Sequence, residues 1–176
     1  LEHIHRQIVE EMKCKRHEVH PMYAVDFASS LEVLSLDEIR AAIHHLLDVR
    51  DKDTWMLFGT LPFYPCSDKE EDLELLRRLY ASENVTLRND PDGRTRLNVN
   101  IFTGDIIVTD FGDIPALGNI HDISLEEAYD KWMATEAAKS LNCHCPAVRC
   151  LGPNVLVKNC YYPDVDFGKL KANISL

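Results

Sequence analysis

Near its C-terminal end the 176-residue chain reads NCHCPAVRCLGPNVLVKNCYY, and four of its six cysteines, Cys143, Cys145, Cys150 and Cys160, fall in that stretch. Thiols gathered this closely can form disulfides, hold zinc, hold an iron–sulfur cluster, or have no shared role. Disulfides persist only in an oxidising compartment. Zinc takes four thiolates tetrahedrally, but its usual spacing is C-x(2–4)-C twice, which C-x-C-x(4)-C fits poorly. An iron–sulfur cluster accepts irregular spacings and is commonly held by four thiolates. The spacing therefore favours a cluster, with zinc as the alternative. Pro146, Gly152, Pro153 and Pro163 keep the segment irregular and permit tight turns around one centre. A loop so poor in regular hydrogen bonding gains order from an inorganic core, because metal binding contributes to folding. His144, between two cysteines, is expected to point away from such a centre.

Outside this segment the candidates are fewer. Asp26 lies near the C-terminal end of a predicted strand, HEVHPMYAVDF (17–27), where sites of α/β proteins gather. It is the candidate for contact with a cofactor. His17 and His20 flank the start of the same strand, and exposed or capping roles compete with a functional one. His44 and His45 sit mid-helix, where one must face outward. Cys66 falls at another strand end and reads as a small core residue. NDPDGR (89–94) offers carboxylates but lacks the spacing and terminal Glu of a calcium loop, so it reads as a solvated turn. Trp132 and Tyr129 read as helix packing, and Tyr161 and Tyr162 as shields of a cluster from water. No Ser-His-Asp pattern, P-loop or GxGxxG appears, which leaves hydrolase and nucleotidyl functions unsupported.

The elements that must position these residues follow from periodicity. Residues 1–16 carry a helical apolar stripe at Ile4, Ile8, Val9 and Met12. Ser35 and Glu38 form a capping box ahead of Ile39, Ile43, Leu46 and Leu47, and Ser67 precedes Glu70 by three residues ahead of Leu73, Leu76 and Leu79. Between these helices TWMLFGTLPFYP (54–65) reads as a buried strand that breaks at Pro62 and Pro65, and VTLR (85–88) as a short strand. Alternation of helix and strand predicts β/α units on a small, largely parallel sheet. Beyond the turn at 89–94, RLNVNIFTGDIIVTDFG (96–112) predicts a β-hairpin around Thr103-Gly104-Asp105. Ser124 and Glu127 then cap a helix that turns Ala128, Trp132 and Leu141 inward. The expected fold class is α/β: the last β/α units of a partial barrel over residues 1–90, then a hairpin, a helix and an irregular Cys-rich segment over 91–176.

Composition restricts the partners. A net charge of −10 argues against nucleic acid, whose phosphates need clustered Lys and Arg. No segment approaches the roughly 20 consecutive apolar residues of a membrane helix. The opening LEHIHRQIVEEMKC is amphipathic and charged, without an apolar signal region. A cytoplasmic location is the expectation, with reduced thiols. The missing initiator Met and an opening within a helix point to a fragment of a longer protein.

CHCPAVRC resembles the CxCxxxxC arrangement of bacterial radical SAM proteins of the YfkA/YfkB-like family. The chain resembles the C-terminal part of such proteins, including their YfkB-like domain. TGDIIVTDFGDIPALGNIHDISLEEAYDKW also resembles the hairpin, "LGN" turn and helix that precede auxiliary clusters in SPASM and twitch domains. The resemblance implies an auxiliary [4Fe–4S] cluster on Cys143, Cys145 and Cys150; Cys160 is added because a cubane fully held by protein wants a fourth thiolate. It implies S-adenosylmethionine only in the complete enzyme, since CxxxCxxC is absent and Cys14 and Cys66 stand alone. The expected partner is then an N-terminal radical SAM half of the same protein, with an unknown substrate. Two other readings stand beside it: a non-catalytic interaction domain stabilised by zinc or an iron–sulfur cluster, and a metal-free acidic partner-binding domain.

Overall fold

Ser35 accepts a hydrogen bond from the Glu38 amide while the Glu38 carboxylate accepts from the Ser35 amide. This reciprocal cap satisfies orphan donors and opens α2 (Leu36–Val49) where the sequence places it. The computed structural model describes residues 1–22, 30–63, 69–88, 92–93, 96–109, 114–136 and 138. Within them α1 (Glu2–Arg6) precedes α2, followed by α3 (Glu70–Ala81) and α4 (Leu125–Met133). The first helix departs from expectation: α1 passes into a π-helical turn at Gln7–Glu11, and Ile4 and Met12 are exposed. The residue it buries is His5. Helix α3 also starts differently. Its N-cap is Lys69, with no side-chain cap, and Ser67 lies outside the described residues. Glu70, Glu71 and Asp72 occupy the first turn instead, where negative charge meets the positive end of the helix dipole. Asp72 is buried and pairs with Arg40 of α2 at 2.6 Å. Arg40 also pairs with Asp37 and lies over the Phe63 ring, so one guanidinium joins both helices.

The strands β1 (Arg16–Val19), β2 (Trp55–Gly59) and β3 (Val85–Arg88) form a parallel sheet in the order β1-β2-β3. Such sequential order is that of consecutive β/α steps in a barrel wall, in agreement with the α/β expectation. Met56 and Phe58 point from the central strand into the core and meet Ile39, Ile43 and Leu46 of α2 and Leu75, Leu76 and Leu79 of α3. Strand β2 is shorter than the span 54–65, because Thr60 takes φ +53° and ends the extended run before Pro62. Leu61 and Phe63 still reach the core. Strand β1 ends at Val19, while residues 23–29 lie outside the described set.

Helix α1 docks on β1 through two buried imidazoles. His5 Nδ1 lies 3.0 Å from His17 Nδ1, and the rings stack 5.2 Å apart. The Asp51 amide donates to His5 Nε2 at 3.0 Å, so a neutral His5 carries its proton on Nδ1 and donates it to His17 Nδ1. Burial lowers the pKa of both rings; for His5 the Asp51 and Glu10 charges oppose it while Arg50 adds to it, and for His17 the His5 ring adds to it.

The C-terminal part builds a second sheet. Strands β4 (Asn98–Val99) and β5 (Asp105–Ile107) pair antiparallel as the expected hairpin. Asn100 Oδ1 accepts from the Phe102 and Thr103 amides, and Gly104 takes φ +79°. That geometry holds Ile101 and Phe102 out at the tip, 87% and 92% exposed. The LGN segment is not a turn but supplies a third strand, β6 (Gly118–Asn119), antiparallel to β5. Ser124 and Glu127 cap α4 reciprocally, as expected. Trp132 is buried with Val108 and Ala138, and its Nε1 donates to the Gly93 carbonyl at 2.6 Å. Tyr129, expected to pack beside it, is 38% exposed, and Leu141 lies outside the described residues.

Two expectations follow. Ser35→Ala removes one half of a cap and should cost about 1 kcal/mol in urea unfolding. His17 must be neutral for its Nδ1 to accept from His5, and His5 must be neutral for its Nε2 to accept from the Asp51 amide. A folded pKa below the unfolded value of about 6.5 makes the pair's contribution full above that pH and lost as pH falls through the folded value. The urea midpoint should therefore drop between about pH 7.5 and about pH 5.5, and His17→Gln should flatten that drop.

Candidate functional site

Parallel pairing sends alternate residues to opposite faces of the sheet. His17 and Val19 of β1 share the helix-covered face with Met56 and Phe58, whereas Arg16 and Glu18 share the other with Trp55 and Leu57. Thr86 and Arg88 of β3 complete that second face, in register with Leu57 and Gly59. None of these second-face residues joins the core cluster, and Trp55 is half exposed. They bond to one another. Glu18 Oε1 accepts from His20 Nε2 at 2.8 Å and from Arg88 Nη1 at 3.0 Å, and its Oε2 accepts from Arg16 Nη2 at 3.1 Å. Arg16 also lies over the Trp55 ring, whose Nε1 donates to Thr86 Oγ1.

His20, one residue past β1, lies against the Cα of Gly59 at the end of β2. A Cβ at position 59 would stand 2.3 Å from His20 Cε1, so only glycine admits the ring there. The next residue, Thr60, is β-branched and held in the left-handed region, a conformation costing about 1–3 kcal/mol and kept only where the surroundings enforce it. A carboxylate only accepts, so a neutral His20 donates from Nε2 and turns Nδ1 into the nitrogen able to take a proton. Among the described residues that Nδ1 has no hydrogen-bond partner. The Glu18 carboxyl is held below the usual carboxylate range, first by the His20 hydrogen bond and further by the charges of His20, Arg16 and Arg88, against partial desolvation. It stays ionised and orients the ring.

An apolar cavity of about 200 Å³ lies on the helix-covered face, lined by Val19, Ile39, Ile43, Leu46, Phe58 and Leu61 and also by His20 and Met22. Its lining takes in Val19, the last residue of β1, and Leu61, just past β2, in the region where α/β proteins place ligands. The arrangement suits an organic anion better than a cation: both Glu18 oxygens are engaged, and two arginines face one carboxylate. Among the described residues no group of three or more His, Cys, Asp or Glu could hold a metal ion.

The sequence-derived candidates fall unevenly. Cys143, Cys145, Cys150, Cys160, His144, Cys66 and Asp26 all lie outside the described residues. His17 is packed against His5 rather than presented to a site. His44 meets Arg78 at 2.9 Å, and His45 is half exposed beside Glu2. Asp92, read as part of a solvated turn, is buried and accepts from Arg96 and Asn98, because it anchors a bridge between residues 92 and 96. Of the histidines considered, His20 is the one brought into a polar constellation. Glu18, Arg88, Gly59 and Thr60 were missed, although charged residues at alternate positions in R-H-E-V-H carried a signal. Among the described residues no helix is long and apolar enough to cross a membrane.

Comparison with known proteins supplies the lineage. A YfkB-like domain matches residues 22–172. The YfkA protein of Bacillus subtilis (strain 168) is 72% identical over 172 residues, covering 98% of this chain and 46% of that protein. The chain thus spans about half the length of the curated relative it matches. No solved structure matches it. The domain match over most of the chain and the identity across nearly all of it make this chain a member of the YfkA/YfkB-like family.

Proposed function

We propose that this chain is the C-terminal part of a radical SAM enzyme and carries an auxiliary [4Fe–4S] cluster. The observation that carries the reading is the CHCPAVRC run at 143–150, followed by Cys160, in a chain that covers 46% of a longer relative. The donor set fits the group, since four thiolates are the common ligands of such a cluster. Cys143, Cys145, Cys150 and Cys160 would hold it, and Tyr161 and Tyr162 would keep water from it. When bound, the cluster supplies one-electron transfer or, with three protein ligands, an open iron for substrate. Residues 1–90 act as partial-barrel wall and 91–176 as the auxiliary region, with Asp26 assigned to cofactor contact at the barrel end. S-adenosylmethionine and the radical-generating site belong to the N-terminal half of the complete protein, because CxxxCxxC does not occur in these 176 residues. The complete enzyme works in the cytoplasm, on a substrate this chain does not identify.

Anaerobic reconstitution with iron and sulfide tests the reading. The expected product is brown and binds about four irons and four sulfides per chain, and Cys143→Ala, Cys145→Ala and Cys150→Ala each lose the cluster. Colourless protein with one zinc per chain would overturn it in favour of a zinc-stabilised interaction domain. A parent reading frame without CxxxCxxC would remove the radical SAM assignment.

A further inference from the structure

We infer that the free edge of β1 and the uncovered flank of α1 together receive this protein's own upstream half, as a further parallel strand and its helix. The inference rests on the reading of the chain as the C-terminal part of a longer protein, and it names where the two halves join. The first ground is topology. Helix α2 leads through residues 50–54 into β2, and α3 leads through 82–84 into β3. The helical run that opens with α1 leads in the same way through 12–15 into β1. Lys13 and Asn84 turn the first and last of these links at φ +57° and +55°. Helix α1 also lies on the helix-covered face, where His5 stacks on His17 and Glu2 lies 3.6 Å from His45 of α2. The helix layer therefore runs α1-α2-α3 beside β1-β2-β3. Helices α2 and α3 each carry the chain from a strand to its parallel neighbour, and such crossovers are right-handed almost without exception. Repetition of that step places the strand before α1 beside β1, on the edge away from β2.

The second ground is hydrogen bonding. The Trp55 amide donates to the Lys15 carbonyl at 3.0 Å, so Lys15, His17 and Val19 turn their backbone groups toward β2. Alternation along the strand turns the amides and carbonyls of Arg16 and Glu18 the other way. Among the described residues no strand pairs with them, because β1 stands at one end of its sheet. An open row of this kind is a template for another strand. The third ground is the helix surface. At 3.6 residues per turn, Ile4 lies on the flank of His5 opposite Glu2, and so away from α2. It is 51% exposed there, where the next helix of the same layer would cover it. The fourth is length. This chain covers 46% of a relative 72% identical to it, so the longer protein has room for further β/α units.

Amide hydrogen exchange, compared between the 176-residue chain and the complete protein that contains it, provides the test. The Arg16 and Glu18 amides should exchange freely in the chain. In the complete protein, where a partner strand accepts from them, they should exchange slower by about a hundredfold or more. The Val85 and Leu87 amides face away from β2 on the opposite edge, since the Met56 amide donates to the Asn84 carbonyl. They should exchange alike in both proteins. Ile4→Asp should lower the urea midpoint of the complete protein and leave that of the chain unchanged. The inference is overturned if Arg16 and Glu18 exchange at the same rate in both proteins, or if Val85 and Leu87 gain the protection instead. An equal midpoint shift from Ile4→Asp in both would overturn the contact at α1. Unchanged exchange at β1 in a complete protein that has an upstream half and holds its cluster overturns this inference alone. A complete protein whose further residues all follow this chain overturns the C-terminal reading with it.

Discussion

Parallel pairing of β2 on both of its edges is the constraint from which the N-terminal part follows. Parallel neighbours cannot be joined by a tight turn; each needs a crossover of a dozen residues or more, usually helical. Crossovers of this kind are right-handed almost without exception, so strands laid down in the order β1-β2-β3 send α2 and α3 to the same face. Met56 and Phe58 bury against both helices there, and the Arg40–Asp72 pair joins those helices beside Phe63. Among the described residues the second face carries no crossover helix. Its residues satisfy one another instead, and Glu18 becomes the acceptor on which three cationic or protic groups converge.

Local rules made much of this legible. Ser35 with Glu38 and Ser124 with Glu127 mark helix starts by a short-range exchange of hydrogen bonds, and both hold in the fold. The hairpin at 98–107 likewise rests on residues close in sequence. What escaped was set by distant partners. Apolar periodicity over 1–16 suggested burial of Ile4 and Met12, yet the element is held by His5, whose partners are His17 and the Asp51 amide. β6 is two residues long and exists only because β5 offers it an edge. Asp92 looks like a turn residue until Arg96 and Asn98 close around it. The same holds for the candidate site. His20 could be singled out as a histidine at the start of a predicted strand, but its coupling to Arg88 spans 68 positions through Glu18.

The two centres ask different things of the chain. The proposed thiolate cluster would draw its ligands from residues close in sequence, and its signature is spacing, which is why CHCPAVRC can be read in one line. The sheet-edge site draws on three strands, and its signature is register: Gly59 opposite Arg88, and Glu18 opposite Leu57. Spacing survives without a structure, whereas register does not.

Gly59 and Thr60 show how the two faces meet. For β2 to stop where His20 needs room, the chain must turn immediately, and Thr60 does so at φ +53° although it is β-branched. A glycine at 60 would relieve that strain but would also loosen the path to Leu61 and Phe63, both buried in the core. Core burial of those two side chains therefore holds Thr60 in its unfavourable conformation, and Thr60 in turn fixes the end of β2 against which the imidazole rests. The hydrophobic core and the polar edge are in this way one mechanical unit: packing on the helix face sets the position of a proton-carrying ring at the rim.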